Sequence, residues 1–251
     1  MSKIEVVVSG AVRTVLLNRP DKRNALDAEM LEGLEAAFTR APAVAERVAV
    51  IRAAGPVFCA GLDLRSRKEM SAGASSIERA LHAVETYPLP VVAVVQGDAI
   101  AGGNELALHC DIVIASTAAR FGMSLAQIGL APTWFLTKKL MEVAGPVTTR
   151  KILLLGDPLP ATRMHELGII ADVAPPADLD AKAQAIVDRL AANAPLSLKA
   201  MKATILREMK FRDAIPHADV DELVTRASRS ADAKEGTAAR LERRKPVFRG
   251  E

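Results

Sequence analysis

Residues 89–115 read LPVVAVVQGDAIAGGNELALHCDIVIA. Every position of Val91-Val92-Ala93-Val94-Val95 is apolar, so a strand here needs cover on both faces, as in a parallel sheet flanked by helices. A turn rich in small residues follows through Gly97, Gly102 and Gly103, then a helix over 102–110 and a second apolar strand over 112–115. Strand, turn, helix and strand in that order make one unit of an α/β fold with right-handed crossovers.

Upstream, β-rich runs at 4–8 and 13–17, separated by Ser9-Gly10-Ala11, predict a hairpin. Asp27 is a good N-cap, and Leu31, Leu34, Ala37 and Phe38 follow it at helical spacing. A strand over 48–52 ends in the Gly55-Pro56 turn, and a helix is expected over 76–86. Beyond residue 135 the strand signal thins, and 137–144, 146–155, 162–167, 179–193, 195–209 and 215–231 are helical in pattern. The expectation is an α/β core over 1–190, followed without a flexible linker by a helical region over 191–251.

Composition narrows the function. The chain of 251 residues is 50% hydrophobic and 25% charged, which excludes a disordered segment. Aromatic residues make up only 3%, too few for the stacking platforms of a single-strand nucleic-acid binder, so no nucleic-acid partner is expected. Net charge is +3. The clearest basic cluster is Arg240, Arg243, Arg244, Lys245 and Arg249, which is either a solvated terminal face or an attraction for a polyanion such as a nucleotide phosphate. Cys59 and Cys110 have no pairing pattern, the opening residues carry no signal-peptide core, and no apolar run approaches a membrane span. A cytoplasmic protein with no membrane partner is expected.

No metal constellation emerges, because His82, His109, His165 and His217 are scattered and neither HExxH nor CxxC occurs. There is no G-x-S-x-G elbow, no Walker A and no G-x-G-x-x-G after a strand. Two glycine-bearing segments do invite chemistry, at 55–64 and 97–106. Small residues let backbone N–H groups approach a ligand closely, and two such donors from separate loops would stabilise an oxyanion. The alternative is that each glycine only permits a tight strand-to-helix turn.

Asn18-Arg19-Pro20, Asn24-Ala25-Leu26, the stretch from Phe58 to Leu64, the stretch from Gly97 to Asp111 and the closing Arg243-Arg244-Lys245-Pro246-Val247-Phe248 together resemble the crotonase superfamily, the enoyl-CoA hydratase/isomerase family. The likeness implies a crotonase-like spiral of ββα units with a helical C-terminal region, assembled as a homotrimer or a dimer of trimers. It implies an acyl-CoA thioester substrate and no separate cofactor, since the coenzyme A arrives on the substrate. By position, the amides holding the thioester carbonyl belong to Ala60 and Gly102. Arg23, Ala25, Gly61, Leu62, Asp63 and Leu64 fall in segments that grip the coenzyme A moiety, and Lys245 and Phe248 in a closing helix that approaches the nucleotide of a neighbouring subunit. Hydratases of the family use two carboxylates. Glu105 matches the first, whereas Leu125 stands where the second belongs; Ser124 and Gln127 are the nearest polar residues. Trp134 and Phe135 shape an acyl pocket or pack in the core.

Losing one member of an acid–base pair costs ~10²–10⁴-fold. Three activities therefore fit: an enoyl-CoA hydratase or isomerase with Glu105 as acid/base, a hydrolase or decarboxylase of CoA thioesters, or a non-catalytic acyl-CoA binder. Asp63, His82, Glu85 and Tyr87 are further candidates for the missing acid.

Overall fold

The computed structural model describes residues 2–65 and 76–250. The variable stretch over 65–87 therefore lies partly outside the described residues. The chain opens as an antiparallel pair, β1 (Ile4–Ser9) against β2 (Val12–Leu17), joined at Gly10 as the hairpin signal predicts. From β2 onward the sheet is parallel. It runs through β3 (Val48–Ala53) and β4 (Val91–Val95) to β6 (Ile112–Ser116) and β9 (Asp172–Ala174), in the order β1-β2-β3-β4-β6-β9. Three short strands, β5 (Ala99–Ile100), β7 (Arg120–Gly122) and β8 (Leu159–Pro160), form a second sheet.

The apolar run at 91–95 is covered on both faces. Val91, Ala93 and Val95 join the main core with helices α1 (Ala28–Thr39), α2 (Ser76–Thr86) and α3 (Gly102–Leu108). Val92 and Val94 face the other way, onto Leu179, Ala183 and Val187 of α6 (Leu179–Ala192). The Asp27 carboxylate caps α1 by accepting from the Met30 N–H at 3.1 Å. Between β8 and β9 lies α5 (Ala161–Glu166).

The stretches expected as helices at 137–144 and 146–155 are the two arms of α4 (Trp134–Leu155), which bends at Gly145 (φ 65°) before Pro146. The C-terminal helices are α7 (Pro195–Glu208), α8 (Ala218–Arg229) and α9 (Ala231–Glu242). The single helix expected over 215–231 ends sooner, because Ser230 leaves helical geometry and its hydroxyl caps a new helix by accepting from the Ala233 N–H at 2.9 Å. α9 returns to the core and lies on the short turn at 126–128. The approach leaves no room for a side chain: a Cβ on Gly236 would come within 2.4 Å of the Ile128 carbonyl carbon.

Candidate active site

The two glycine-bearing segments become neighbouring loops. Cys59 N–H donates to the Asp98 carbonyl at 3.1 Å and Ile100 N–H to the Cys59 carbonyl at 2.9 Å, a two-bond zip between the turn after β3 and the turn after β4. Asn24 fixes the first loop from below. Its buried amide donates to the carbonyls of Ala54 at 2.9 Å and Val57 at 2.8 Å while its Oδ1 accepts from the Arg19 N–H at 2.8 Å. Gly103 lets α3 lie against this loop, since a Cβ there would stand 2.2 Å from the Cys59 carbonyl oxygen. Ala101, the residue before α3, holds φ 49° and ψ −115°, where an alanine is strained by ~1–3 kcal/mol. Its N–H is tied to the Gly122 carbonyl of β7 at 2.7 Å, so the second sheet holds the strained turn in place.

The amide assignment needs one correction. The Ala60 N–H donates to the Arg23 carbonyl at 3.0 Å and is not free for a ligand. The Gly61 N–H turns to the Cys59 Sγ at 3.4 Å. Leu62 and Gly102 both line the cleft, and their N–H groups find no acceptor among the described residues. They are close together: a Cβ on Gly102 would lie 3.5 Å from the Leu62 nitrogen, and one on Gly61 3.2 Å from the Gly102 nitrogen. The free donors are thus two residues beyond the expected one on the first loop and as expected on the second.

Both loops open on a cleft of about 700 Å³. Arg23, Ala25, Ala60, Leu62, Asp63, Leu64, Gly102 and Leu125, all expected at the site, line it; Gly61 is buried behind the wall. Trp134 does not line it. Its ring stacks on His217 at 4.7 Å, 5° from parallel, and its neighbours Thr133 and Leu136 reach the cleft instead. Lys245 and Phe248 also lie outside it, on a tail tied to α9 by Arg244 and Glu235 and by the Arg249 N–H to Asp232 at 2.7 Å. A separate hollow of about 780 Å³ beneath β1 holds Arg13 and Glu46, whose charges pair with each other at 2.7 Å.

Glu105 does not line the cleft: it sits one turn into α3 with its side chain fully buried, and neither carboxylate oxygen has a hydrogen-bond partner among the described residues. Burial pushes its pKa up to about 8, against the opposing pull of Asn104 and Lys139, so it carries a proton at neutral pH. One turn on, His109 Nδ1 lies 2.8 Å from the Glu105 backbone carbonyl, which assigns its proton to Nδ1, and 3.8 Å from the Glu105 carboxyl. The ring stacks on Phe135 at 5.1 Å, and burial pushes its pKa down to about 4. Both groups are therefore neutral at pH 7. The other candidates for a second acid are committed or remote. Tyr87 faces Glu46 at 3.4 Å, Glu85 pairs with Lys139, Asp63 pairs with Arg19 at 2.9 Å, and His82 is exposed on α2.

The wall opposite the loops carries Leu125, which cannot transfer a proton. Beside it, the buried Ser124 Oγ accepts from Arg240 Nη2 of α9 at 3.0 Å, a contact the sequence did not suggest. Among the described residues no three His, Cys, Asp or Glu side chains converge in a way that could hold a metal ion. No described helix is long and apolar enough to cross a membrane.

The pattern of the enoyl-CoA hydratase/isomerase family matches residues 8–251. The chain is 34% identical to a putative enoyl-CoA hydratase of Thermus thermophilus, over 96% of this chain and 99% of that one. Its structure resembles that of a carnitinyl-CoA hydratase from Mycobacterium avium, with a TM-score of 0.88 at 28% identity over the whole of both chains. A methylmalonyl-CoA decarboxylase shares the fold with a TM-score of 0.90, over 99% of this chain and 98% of that one at 22% identity.

Proposed function

The chain belongs to the enoyl-CoA hydratase/isomerase family and has its crotonase fold, and on that premise we propose a hydratase- or isomerase-like acyl-CoA enzyme that stabilises a thioester enolate with Glu105 as its acid/base. The observation that carries the proposal is the pair of free amides at Leu62 and Gly102 on the cleft wall. A thioester carbonyl between them meets two fixed donors. As charge moves onto its oxygen the donors strengthen their hold, and one such donor is worth ~10²–10³-fold in rate. Glu105, three residues after Gly102 and with a pKa of about 8, would be the group that exchanges a proton with the carbon next to that carbonyl near neutral pH.

Leu125 favours a second reaction of the same site. Loss of carbon dioxide from a carboxyl group next to the α-carbon needs an enolate-stabilising pair and one proton donor but no second carboxylate. Protonated Glu105 is such a donor. Hydrolysis of the thioester would use the same amides.

The coenzyme A moiety would lie along Arg23, Ala25 and Leu62 to Leu64, with Lys245 and Phe248 supplied by a neighbouring subunit. Exposed Leu196, Met201 and Ile205 on α7 and Leu154 and Leu155 on α4 would be covered in a homotrimer or a dimer of trimers, which light scattering would test. Buried, unpaired Cys59 and Cys110 fit a reducing, cytoplasmic setting.

The deciding test follows the conjugated absorbance of crotonyl-CoA with the wild type and Glu105→Gln. Loss of absorbance that the substitution slows by ~10²–10⁴-fold supports the proposal. Binding of crotonyl-CoA and other thioesters without turnover of any of them would make the protein a binder instead.

A further inference from the structure

The cleft is unevenly charged. Its two acids are both engaged, Asp63 with Arg19 at 2.9 Å and Asp98 with Arg120 through bonds of 3.0 and 2.7 Å. Of the arginines that line the cleft, Arg23, Arg65 and Arg240 meet no carboxylate among the described residues, and of these three Arg240 donates to a buried group on the wall, the Ser124 hydroxyl. Arg240 is exposed as a residue, yet its guanidinium is fixed at one end by that hydroxyl. Positions 233, 236 and 240 of α9 share one face at helical spacing, and that face is the one docked on the 126–128 turn through Ala233 and Gly236. The docking carries the guanidinium to the cleft wall, and Ser124, itself buried, clamps it there.

Ser124 adjoins Leu125, so the cleft wall beside the guanidinium presents an apolar side chain and no acid. A neutral acyl chain gains nothing from that charge. A carboxylate at the far end of the acyl group would meet it directly, and a guanidinium is suited by its fork of donors to hold a carboxylate.

We propose that Arg240, clamped by Ser124, selects acyl-CoA esters whose acyl group ends in a carboxylate, that is, mono-CoA esters of dicarboxylic acids. The proposal rests on the thioester reading of the cleft but not on which reaction follows binding.

Equilibrium binding of matched pairs tests it: succinyl- against butyryl-CoA, glutaryl- against pentanoyl-CoA, and adipyl- against hexanoyl-CoA. Coenzyme A is common to each pair, so the ratio of dissociation constants isolates the terminal group. At least one diacid ester should bind about tenfold to hundredfold more tightly than its partner, the span of a charge-assisted hydrogen bond. Arg240→Met should bring that ratio to near one while leaving the neutral ester's affinity in place, and Ser124→Ala should lower it part of the way. Three results overturn the proposal: no pair discriminates, the ratio survives in Arg240→Met, or Arg240→Met weakens both members equally, which would assign Arg240 to coenzyme A itself. Failure of every ester to bind would overturn the thioester reading, and the proposal with it.

Discussion

One wall of the cleft, at residues 60–64 and 99–103, is made of backbone; the other, at residues 124–136 with α9 behind it, is made of side chains. The first depends on close approaches that leave no space for a Cβ at Gly103 and on the strained Ala101 turn held by Gly122. It presents N–H groups, which every residue but proline carries, so its chemistry survives changes of side chain. The second wall presents Ser124, Leu125, Thr133 and Leu136, backed by Arg240, and each of these can change without moving a strand. On the proposed function, what the molecule does to a carbonyl would be set by the first wall, and which acyl group it does it to by the second.

The sharpest way to break this contrast is to disturb the backbone wall. Gly103→Ala drives a methyl into the Cys59 carbonyl and should cost about 3 kcal/mol in denaturant unfolding, the upper end for an overpacked core, and lose thioester binding as the loops part. Unchanged stability would mean the two loops can separate without penalty.

Glu105 ties the backbone wall to the core, and its raised pKa makes that tie visible in pH. Folding takes up a proton at Glu105 between its ordinary value and about 8, so stability falls as pH rises through that window. His109, lowered to about 4, acts in the opposite sense, and its contribution is complete above its ordinary value near 6.5. Between pH 6.5 and 8 Glu105 therefore acts without that offset and should cost about 1–2 kcal/mol, a slope that Glu105→Gln removes. An identical slope in both proteins would assign the titration elsewhere.

On the side-chain wall, Leu125→Glu supplies the missing carboxylate. Hydration of crotonyl-CoA should rise by about tenfold, a modest part of what a positioned acid contributes, because Arg240 stands near enough to compete for the new charge. The smallest effect is expected at the rim. Arg120 is exposed, and Arg120→Ala should change stability by no more than about 0.5 kcal/mol although its two bonds to Asp98 are short.

The same division explains what the sequence could tell. Continuous apolar runs located β3, β4 and β6, and helical spacing after Asp27 located α1, because those signals are properties of neighbouring residues. Strands β5, β7, β8 and β9 run for only two or three residues, too few for alternation to register, and the sequence reading does not contain them. The glycine loops were legible as loops. Which of their amides is free was not, because that depends on the Arg23 carbonyl reaching Ala60 from a distant part of the chain. Trp134 reads from the sequence as a pocket residue or a core residue; its stacking on His217 depends on where α8 lies. Arg240 read as one of five basic residues near the terminus; only the docking of α9 at Gly236 brings it to the wall.

The central claim is that the Leu62 and Gly102 amides and Glu105 together make and unmake a thioester enolate. The most direct measurement is deuterium uptake from heavy water at the α-carbon of a bound saturated ester, with pentanoyl-CoA and glutaryl-CoA, followed by nuclear magnetic resonance. It requires no particular reaction at the β-carbon. The account predicts exchange with the wild type and its loss, by about a hundredfold or more, in Glu105→Gln. Bound ester whose α-hydrogens exchange no faster than in free solution, or exchange equally in both proteins, would contradict it.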